Sequence, residues 1–476
     1  MDLENLNKEQ KKAVLYNEGP LLILAGAGSG KTKVLTTKIA YLIKEKGISP
    51  YEILAITFTN KAAKEMKERV ENLIGEEARF IQISTFHSFG LRLLRENCKD
   101  LGYDSNFVIM DSDDSLVIVK KIMKDLNYDI KQFSPKAVKN KISSCKNELM
   151  TPNDYEKYVA GDFDQIILDV YRKYEEKLKS SNAVDFDDLL LLPIKLFRKH
   201  KDILEMYQNR YKYILIDEYQ DTNDIQETFI SYIAKNNVYM VGDIKQSIYR
   251  FRNANPMLFQ EKYDNYKVHN GGTVIDLSKN FRSRREVINT INDLFCHIMD
   301  QEMGGANYLD GHAMIFGNLT YENKAYVEDN CDMEILSYST EDKEYETREK
   351  EAFLIASDIK KQIASKRLVF DKDKEILREV DYQDIAILLD RSTDFTLYKQ
   401  IFEYLGIPIT LWQSENAKAA YDLEIVKNLF LLGKKIYLHE FDTTFKLVYT
   451  SLARSFLYSM KDALIYHDLM DNNYQE

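Results

Sequence analysis

The sequence is poor in the residues that mark several protein classes. Among 476 residues there are four cysteines, and Cys98, Cys145, Cys296 and Cys331 lie far apart with no CxxC pair. This excludes a zinc ribbon and a disulfide scaffold and fits a reducing compartment. Seven prolines and 18 glycines are too few for a linker-dominated or low-complexity chain. No apolar stretch approaches the ~18 residues that a membrane span needs. The opening MDLENLNKEQKK lacks the hydrophobic segment of a secretion signal. A cytoplasmic protein with no membrane partner is therefore expected. Positive charge is not in excess either: Lys plus Arg is 65, Asp plus Glu is 76, and the net charge is −11. This argues against a surface coated in basic residues. It leaves nucleic acid open, because local patches rather than totals govern such binding.

What is present is ordinary globular material, 45% hydrophobic and 30% charged, enough for about three domains. Short β-branched and leucine-rich runs at 21–25, 53–57, 81–84, 213–217, 239–242, 274–277 and 385–389 read as strands, most of them buried on both faces. Helical patterns lie between them, as at 60–73 and 283–298. This order predicts an α/β fold around a parallel sheet. Two stretches interrupt it. Residues 91–185 read as almost wholly helical with no convincing strand, an insertion between strands of one sheet, and 412–476, opening near Trp412, read as helical again. Residues 307–332 read as a loop or irregular connection, and no internal repeat is found.

The strongest chemical signal is Ala25-Gly26-Ala27-Gly28-Ser29-Gly30-Lys31-Thr32, where an apolar strand runs through a glycine-rich loop into a helix. Small residues allow successive backbone N–H groups to close around phosphate oxygens at the positive end of that helix. Lys31 is placed to reach the outer phosphates and Thr32 to offer its hydroxyl to Mg²⁺. Ala25 stands where the strict pattern has glycine. A second system appears at YILIDEYQD, where an apolar strand ends in Asp217 and Glu218. Asp217 is expected to hold Mg²⁺ and Glu218 to orient and deprotonate an attacking water. The bland readings are a glycine turn that binds nothing and a solvated acidic turn.

AGAGSGKT, DEYQDTN and VGDIKQSIYRFR occur together and in this order. They resemble the UvrD/Rep/PcrA branch of superfamily 1 helicases, ATP-driven 3′–5′ translocases on single-stranded DNA. LNKEQ (6–10), AITFTNKAAKEM (55–66), STFHSF (84–89), DFDDLL (185–190) and NFRS (280–283) agree with the resemblance. VGDIKQSIYRFRNANPMLF, IDLSKNFRSRREVI and ARSFLY lean towards AddA, the motor of a recombination helicase–nuclease. The resemblance implies a RecA-like P-loop NTPase with helical insertions. One RecA-like domain, 1A, is expected at 1–90 and 186–273, and a helical insertion, 1B, at 91–185. A partial second RecA-like domain, 2A, is expected at 274–415, and the start of a 2B insertion at 416–476.

The resemblance also implies roles. Gln10 reads adenine, with Phe281 stacked on it, and Gln246 senses the γ-phosphate. Arg282 serves as an arginine finger from the second motor domain. Lys33 stands where PcrA-like members carry a stacking arginine, so base discrimination is expected to be looser. Phe58, Thr59, Asn60, Lys61, Thr85, His87, Tyr249, Phe251 and Arg252 are expected to meet DNA. Phe251 replaces the tryptophan of PcrA-like members, and its alternative is a core aromatic. The alternative for His87 is a satisfied loop or core histidine. The lysine-rich stretch 131–147 is read as a solvated helix face in preference to a duplex contact.

Two family motifs, resembling HxSKGLEF and RLLYVALTRA, are missing, so the second RecA-like domain is expected to be incomplete. The chain reads as the N-terminal portion of an ATP- and Mg²⁺-dependent DNA helicase of repair or recombination. Its ligands are expected to be single-stranded DNA and single-strand/duplex junctions. Its own activity is expected to be weak without a second chain supplying the missing motifs or a nuclease subunit. The rivals are a non-motor module that binds ATP and DNA, and a small-molecule P-loop kinase. The intact Lys31, Asp217 and Glu218 disfavour the first, and DEYQDTN disfavours the second.

Overall fold

Runs such as LLILA and ILAIT are too short and too uniformly apolar for amphipathic helices. In the computed structural model of the chain they become strands buried on both faces. The structure describes residues 3–250, 253–304, 307–309, 311–322, 333–341, 344–371, 374, 376–411, 421–455, 458 and 460–471. It divides into two compact units, Met1–Glu334 and Ile335–Glu476.

The first unit carries strands β1 (Leu21–Ala25), β2 (Ile53–Thr57), β3 (Gln82–Thr85), β4 (Val108–Ile109), β5 (Ala183–Val184), β6 (Tyr213–Ile216), β7 (Val238–Gly242) and β8 (Thr273–Leu277). Its helices as far as the end of the insertion are α1 (Lys8–Leu15), α2 (Lys31–Lys44), α3 (Asn60–Ile74), α4 (Phe86–Asn97), α5 (Ser112–Asp125), α6 (Pro135–Asn147), α7 (Pro152–Tyr155), α8 (Asp162–Ser180) and α9 (Asp188–Lys199). Six strands form one parallel sheet in the order β3-β2-β6-β7-β1-β8. Period-two alternation sorts their side chains. Leu22, Leu24, Leu54, Ile56, Ile214 and Ile216 enter the core that holds Phe86, Phe89 and Phe197. Leu21, Ile23, Ala25, Ile53, Ala55 and Leu215 enter the core on the other face, with Val34, Leu35 and Ile39 of α2. Each such leucine or isoleucine contributes about 1.5–3 kcal/mol by leaving water. Since all six strands run the same way, the segments after Ala25, Thr57, Thr85, Ile216 and Gly242 emerge at one sheet edge, where ligands of such folds bind.

The insertion is mostly helical, as expected, but it does contain strand pairing, where the sequence predicts none. Its entry and exit are clasped by the two-residue parallel pair β4–β5, with Val108 N–H bonded to Asn182 O at 3.0 Å and Met110 N–H to Val184 O at 2.8 Å. Helices α5, α6 and α8 pack over a core of their own, which includes Val119, Val138, Ile167 and Tyr171. The solvated face expected at 131–147 agrees with the exposed Lys131, Lys136 and Lys141 but not with Lys146, which is wholly buried. Its ammonium pairs with Glu175, Asp185 and Asp188 at 2.8, 2.8 and 2.9 Å. Burial opposes that charge, but the three carboxylates outweigh it and hold Lys146 well above the usual lysine value.

Three further differences concern strands. The run 274–277, placed by sequence at the start of a second RecA-like segment, is β8, which pairs with β1 in the first sheet. Within 307–332, residues Ile315–Phe316 pair in parallel with Lys279–Asn280. The run 385–389 is extended but joins no ladder among the described residues. In this second unit Ile385, Ile387 and Leu389 pack on the core of helices Thr347–Ala364 and Phe395–Tyr404, while Leu388 is 94% exposed. A strand needs neighbours for its N–H and C=O groups, and none pairs with it among the described residues. The remainder of the second unit is an antiparallel pair, Leu368–Asp371 with Ile376–Glu379, and helices Tyr421–Tyr437, Thr443–Arg454 and Asp462–Asp471. The helical reading of 412–476 agrees with these helices, while Trp412 lies outside the described residues. Among the described residues no helix is long and apolar enough to cross a membrane.

Candidate functional site

The glycine loop leaves β1 at the fully buried Ala25. Gly26 N–H bonds back to Leu277 O at 3.3 Å, and Ser29 N–H to Gly26 O at 3.2 Å, so the chain turns tightly across Ala27 before α2. Gly28 and Gly30 have φ of +68° and +88°, which L side chains adopt only with strain. A Cβ on Gly28 would lie 2.6 Å from Asn280 Oδ1, and one on Gly30 2.8 Å from Gln10 Nε2. Ser29 is buried, and its hydroxyl has no hydrogen-bond partner among the described residues. A bare loop that opens the N-terminus of a long helix, with one buried hydroxyl to spare, fits a polyphosphate.

The acids face this loop from the end of β6. Lys31 Nζ donates to Glu218 Oε2 at 2.7 Å and to Gln246 Oε1 at 3.0 Å, joining three residues far apart in sequence. Glu218 has φ +49°, a left-handed conformation that costs a non-glycine residue energy and aims its side chain at the loop. Asp217, behind it, is 5% exposed and accepts the Glu218 N–H at 3.0 Å. Burial, then the neighbouring Glu218 charge, pushes Asp217 up to about 6. Asp221 is pushed up to about 6 by the same two causes. Thr32 lies half-buried in the first turn of α2. Among the described residues no cluster of three or more His, Cys, Asp or Glu could hold a metal by itself.

Other expected nucleotide residues also converge. Gln10, in the capping box of α1, accepts the Asn7 N–H at 3.1 Å and donates to Ser29 O at 2.8 Å, tying α1 to the loop. Lys33 Nζ donates to Asn5 O at 2.8 Å. The segment after β8 lies on the loop: Phe281 N–H bonds to Gly28 O at 2.9 Å, and Asn280 Oδ1 accepts the N–H groups of Arg282 and Ser283.

The expected DNA residues line a cleft of about 670 Å³ at the same sheet edge, shared with the insertion. Phe58, Thr59, Asn60, Thr85, His87 and Tyr249 lie on its wall, whereas Lys61 is exposed in α3 and does not line it. Thr59 caps α3 through the Ala62 N–H, and Thr85 caps α4 through the Ser88 N–H. Two helix N-termini are therefore presented at the cleft, each with the partial positive charge that attracts phosphates. Phe58 packs edge-on to the buried Phe86 at 5.5 Å. Burial lowers His87 to about 4, so it is uncharged at neutral pH. Phe251 and Arg252 lie outside the described residues.

Sequence reasoning missed Phe186, which stacks on His87 with ring centroids 4.3 Å apart and is 56% exposed. Its signal lay inside DFDDLL. The Asp185 N–H donates to Asp188 Oδ2 at 3.1 Å and the Asp188 N–H to Asp185 Oδ1 at 2.9 Å, and both carboxylates turn inward to Lys146, which leaves the phenyl ring outward in the cleft. Gln220 was also passed over. It is buried between the two sites and donates to Glu218 Oε2 at 3.0 Å.

Residues 6–267 match the protein family described as UvrD/REP helicase N-terminal domain. The chain is 46% identical over 308 residues to the ATP-dependent DNA helicase PcrA of Staphylococcus epidermidis, covering 64% of this chain and 41% of that protein. It is 46% identical over 297 residues to PcrA of Bacillus subtilis, covering 61% and 39%. It is 37% identical over 432 residues to PcrA of Staphylococcus aureus, covering 90% and 53%. The chain thus spans about half the length of the curated relatives it matches, between 39% and 53%.

Proposed function

We propose that this chain, which belongs to the UvrD/REP helicase N-terminal domain family, binds ATP at its glycine loop, hydrolyses it, and uses the cycle to move single-stranded DNA through the adjoining cleft. The observation that carries the proposal is the meeting of Lys31, Glu218 and Gln246 at the mouth of the loop. A solvated acidic turn would not bring a lysine, a strained glutamate and a glutamine within hydrogen-bond reach of one another.

In this reading Gly26–Thr32 wraps the phosphates, Lys31 leaves Glu218 to pair with the outer phosphates, and Glu218 is freed to take a proton from water. Gln246 exchanges its bond with Lys31 for one to the terminal phosphate, since its amide both donates and accepts. Thr32 and Asp217 would hold Mg²⁺, an ion that needs only one or two protein oxygens beside water and phosphate. When bound, that ion supplies charge neutralisation on the phosphates. Gln10 and Phe281 bracket the base, and Arg282 adds a guanidinium over the loop. Lys33 lies beside the base-reading Gln10 but is tied to Asn5 O. DNA phosphates lie on the capped N-termini at Thr59–Asn60 and Thr85, and bases stack on Phe58, Phe186 and His87, with Tyr249 beside them. We assign Lys61, Phe251 and Arg252 to the same strand on family resemblance alone. The relatives' own name, ATP-dependent DNA helicase PcrA, supports the reading.

Replacing Glu218 by Gln tests the assignment. Turnover should fall about 10²- to 10⁴-fold with nucleotide still bound. Near-normal turnover in Glu218→Gln means that another group activates water.

A further inference from the structure

We infer that Gln220 is a positioning residue that couples strand occupancy of the cleft to Glu218. The inference rests on the proposed roles of Glu218 and of the cleft. Gln220 is 1% exposed, on the short turn Tyr219–Asp221. Its amide is committed at both ends. Oε1 accepts the Asp243 N–H at 2.9 Å, which fixes the orientation, because a flipped amide would set donor against donor. Nε2 is thereby turned toward two carboxylates, Glu218 Oε2 at 3.0 Å and Asp221 Oδ2 at 3.3 Å.

One carboxylate belongs to the nucleotide site and the other to the wall of the cleft. The Gln220 carbonyl accepts Ser247 Oγ at 3.1 Å, so the turn that carries Gln246 is tied to the same residue. Room is kept for the amide: a Cβ on Gly242 would lie 2.5 Å from Gln220 Oε1. Asp221 keeps one oxygen to spare, since its Oδ1 is buried with no hydrogen-bond partner among the described residues. A phosphate backbone in the cleft adds negative charge beside Asp221 and disfavours its ionised form. Because Oε1 is anchored, the amide cannot swing away, and a change at Asp221 is passed to Glu218. A buried amide that only filled space would need neither carboxylate.

The test is a linkage measurement on the full chain. The affinity for a dT oligonucleotide is measured with and without a saturating non-hydrolysable ATP analogue and Mg²⁺, and the ratio is the coupling factor. The unmodified chain should show a factor of about 5 or more. Gln220→Met should bring the ratio to within about twofold of one, leave each separate affinity within about threefold, and keep a cooperative melt. Gln220→Leu likewise removes the N–H₂ without adding a charge or a new donor, and should behave alike; it decides the matter if Gln220→Met does not fold. A ratio retained in the folded variant overturns the inference alone. A collapse of oligonucleotide affinity in step with the ratio also overturns it, because Gln220 would then be part of the binding wall. A ratio of one in the unmodified chain overturns the ATP–DNA reading and this inference with it.

Discussion

Asp217 and Glu218 are neighbours in sequence but not in environment. Asp217 is enclosed and pushed up to about 6, first by burial and then by Glu218. Glu218 keeps 38% of its side chain exposed, next to Lys31. If Asp217 must be a carboxylate to take up the metal, kcat/KM for Mg²⁺·ATP, which reads the free chain, should fall on an acid limb near pH 6, and a kcat/KM flat through that range would contradict the assignment. Asp221 has a similar shift, so Asp221→Asn separates the two: the limb should persist in that variant. The sign for stability is the reverse. Between about pH 6 and 3.8 the folded chain keeps a proton on Asp217 that the unfolded chain has released, so its penalty on folding fades as pH falls. At Lys146, one buried cation faces three acids, and burial and then the Asp185 charge push Asp188 up, so the cation is needed to keep these acids ionised. Lys146→Met should destabilise the chain by about 3–5 kcal/mol in urea unfolding, because it leaves buried acids without their counter-ion. A loss under about 1 kcal/mol would mean that the acids simply take up protons.

At the scale of elements, the glycine loop is held from three sides: by β8 through Leu277, by Gln10 of α1, and by the Asn280–Arg282 segment. Gly28→Ala combines a positive φ with a Cβ 2.6 Å from Asn280 Oδ1. It should lower nucleotide affinity at least about tenfold, or 1.4 kcal/mol, in equilibrium binding; unchanged affinity would show that the loop does not grip the phosphates. Phe186→Ala should weaken single-stranded DNA binding by about 1–3 kcal/mol, read by anisotropy, with nucleotide affinity unaltered. Much of this framework was legible in sequence. Strands β1, β2, β6 and β7 are nearly continuous apolar runs, and the acids follow one of them. The rest was hidden for physical reasons. The β4–β5 clasp has two residues per strand, too few for any periodicity. Residues 385–389 have the composition of a strand, but strands are completed by neighbours that side chains do not reveal. Lys146 looks like its solvated neighbours because a helix face is decided by what packs on it. Phe186 and Gln220 sit inside motifs whose acids drew the reading, and only the fold shows that those acids set the ring and the amide in place.

For the first unit as a whole, the parallel sheet places the loop, the paired acids and the cleft along a single edge. The loop follows β1, the acids β6, and the cleft residues Phe58 and Thr85 lie at the ends of β2 and β3, all in that one sheet. The most direct measurement is the ATP hydrolysis rate of the purified chain against increasing dT oligonucleotide. The account predicts a saturable rise that disappears in Glu218→Gln and shifts to higher oligonucleotide concentration in Phe186→Ala. A rate indifferent to the oligonucleotide, or a rise that survives in Glu218→Gln, would contradict it.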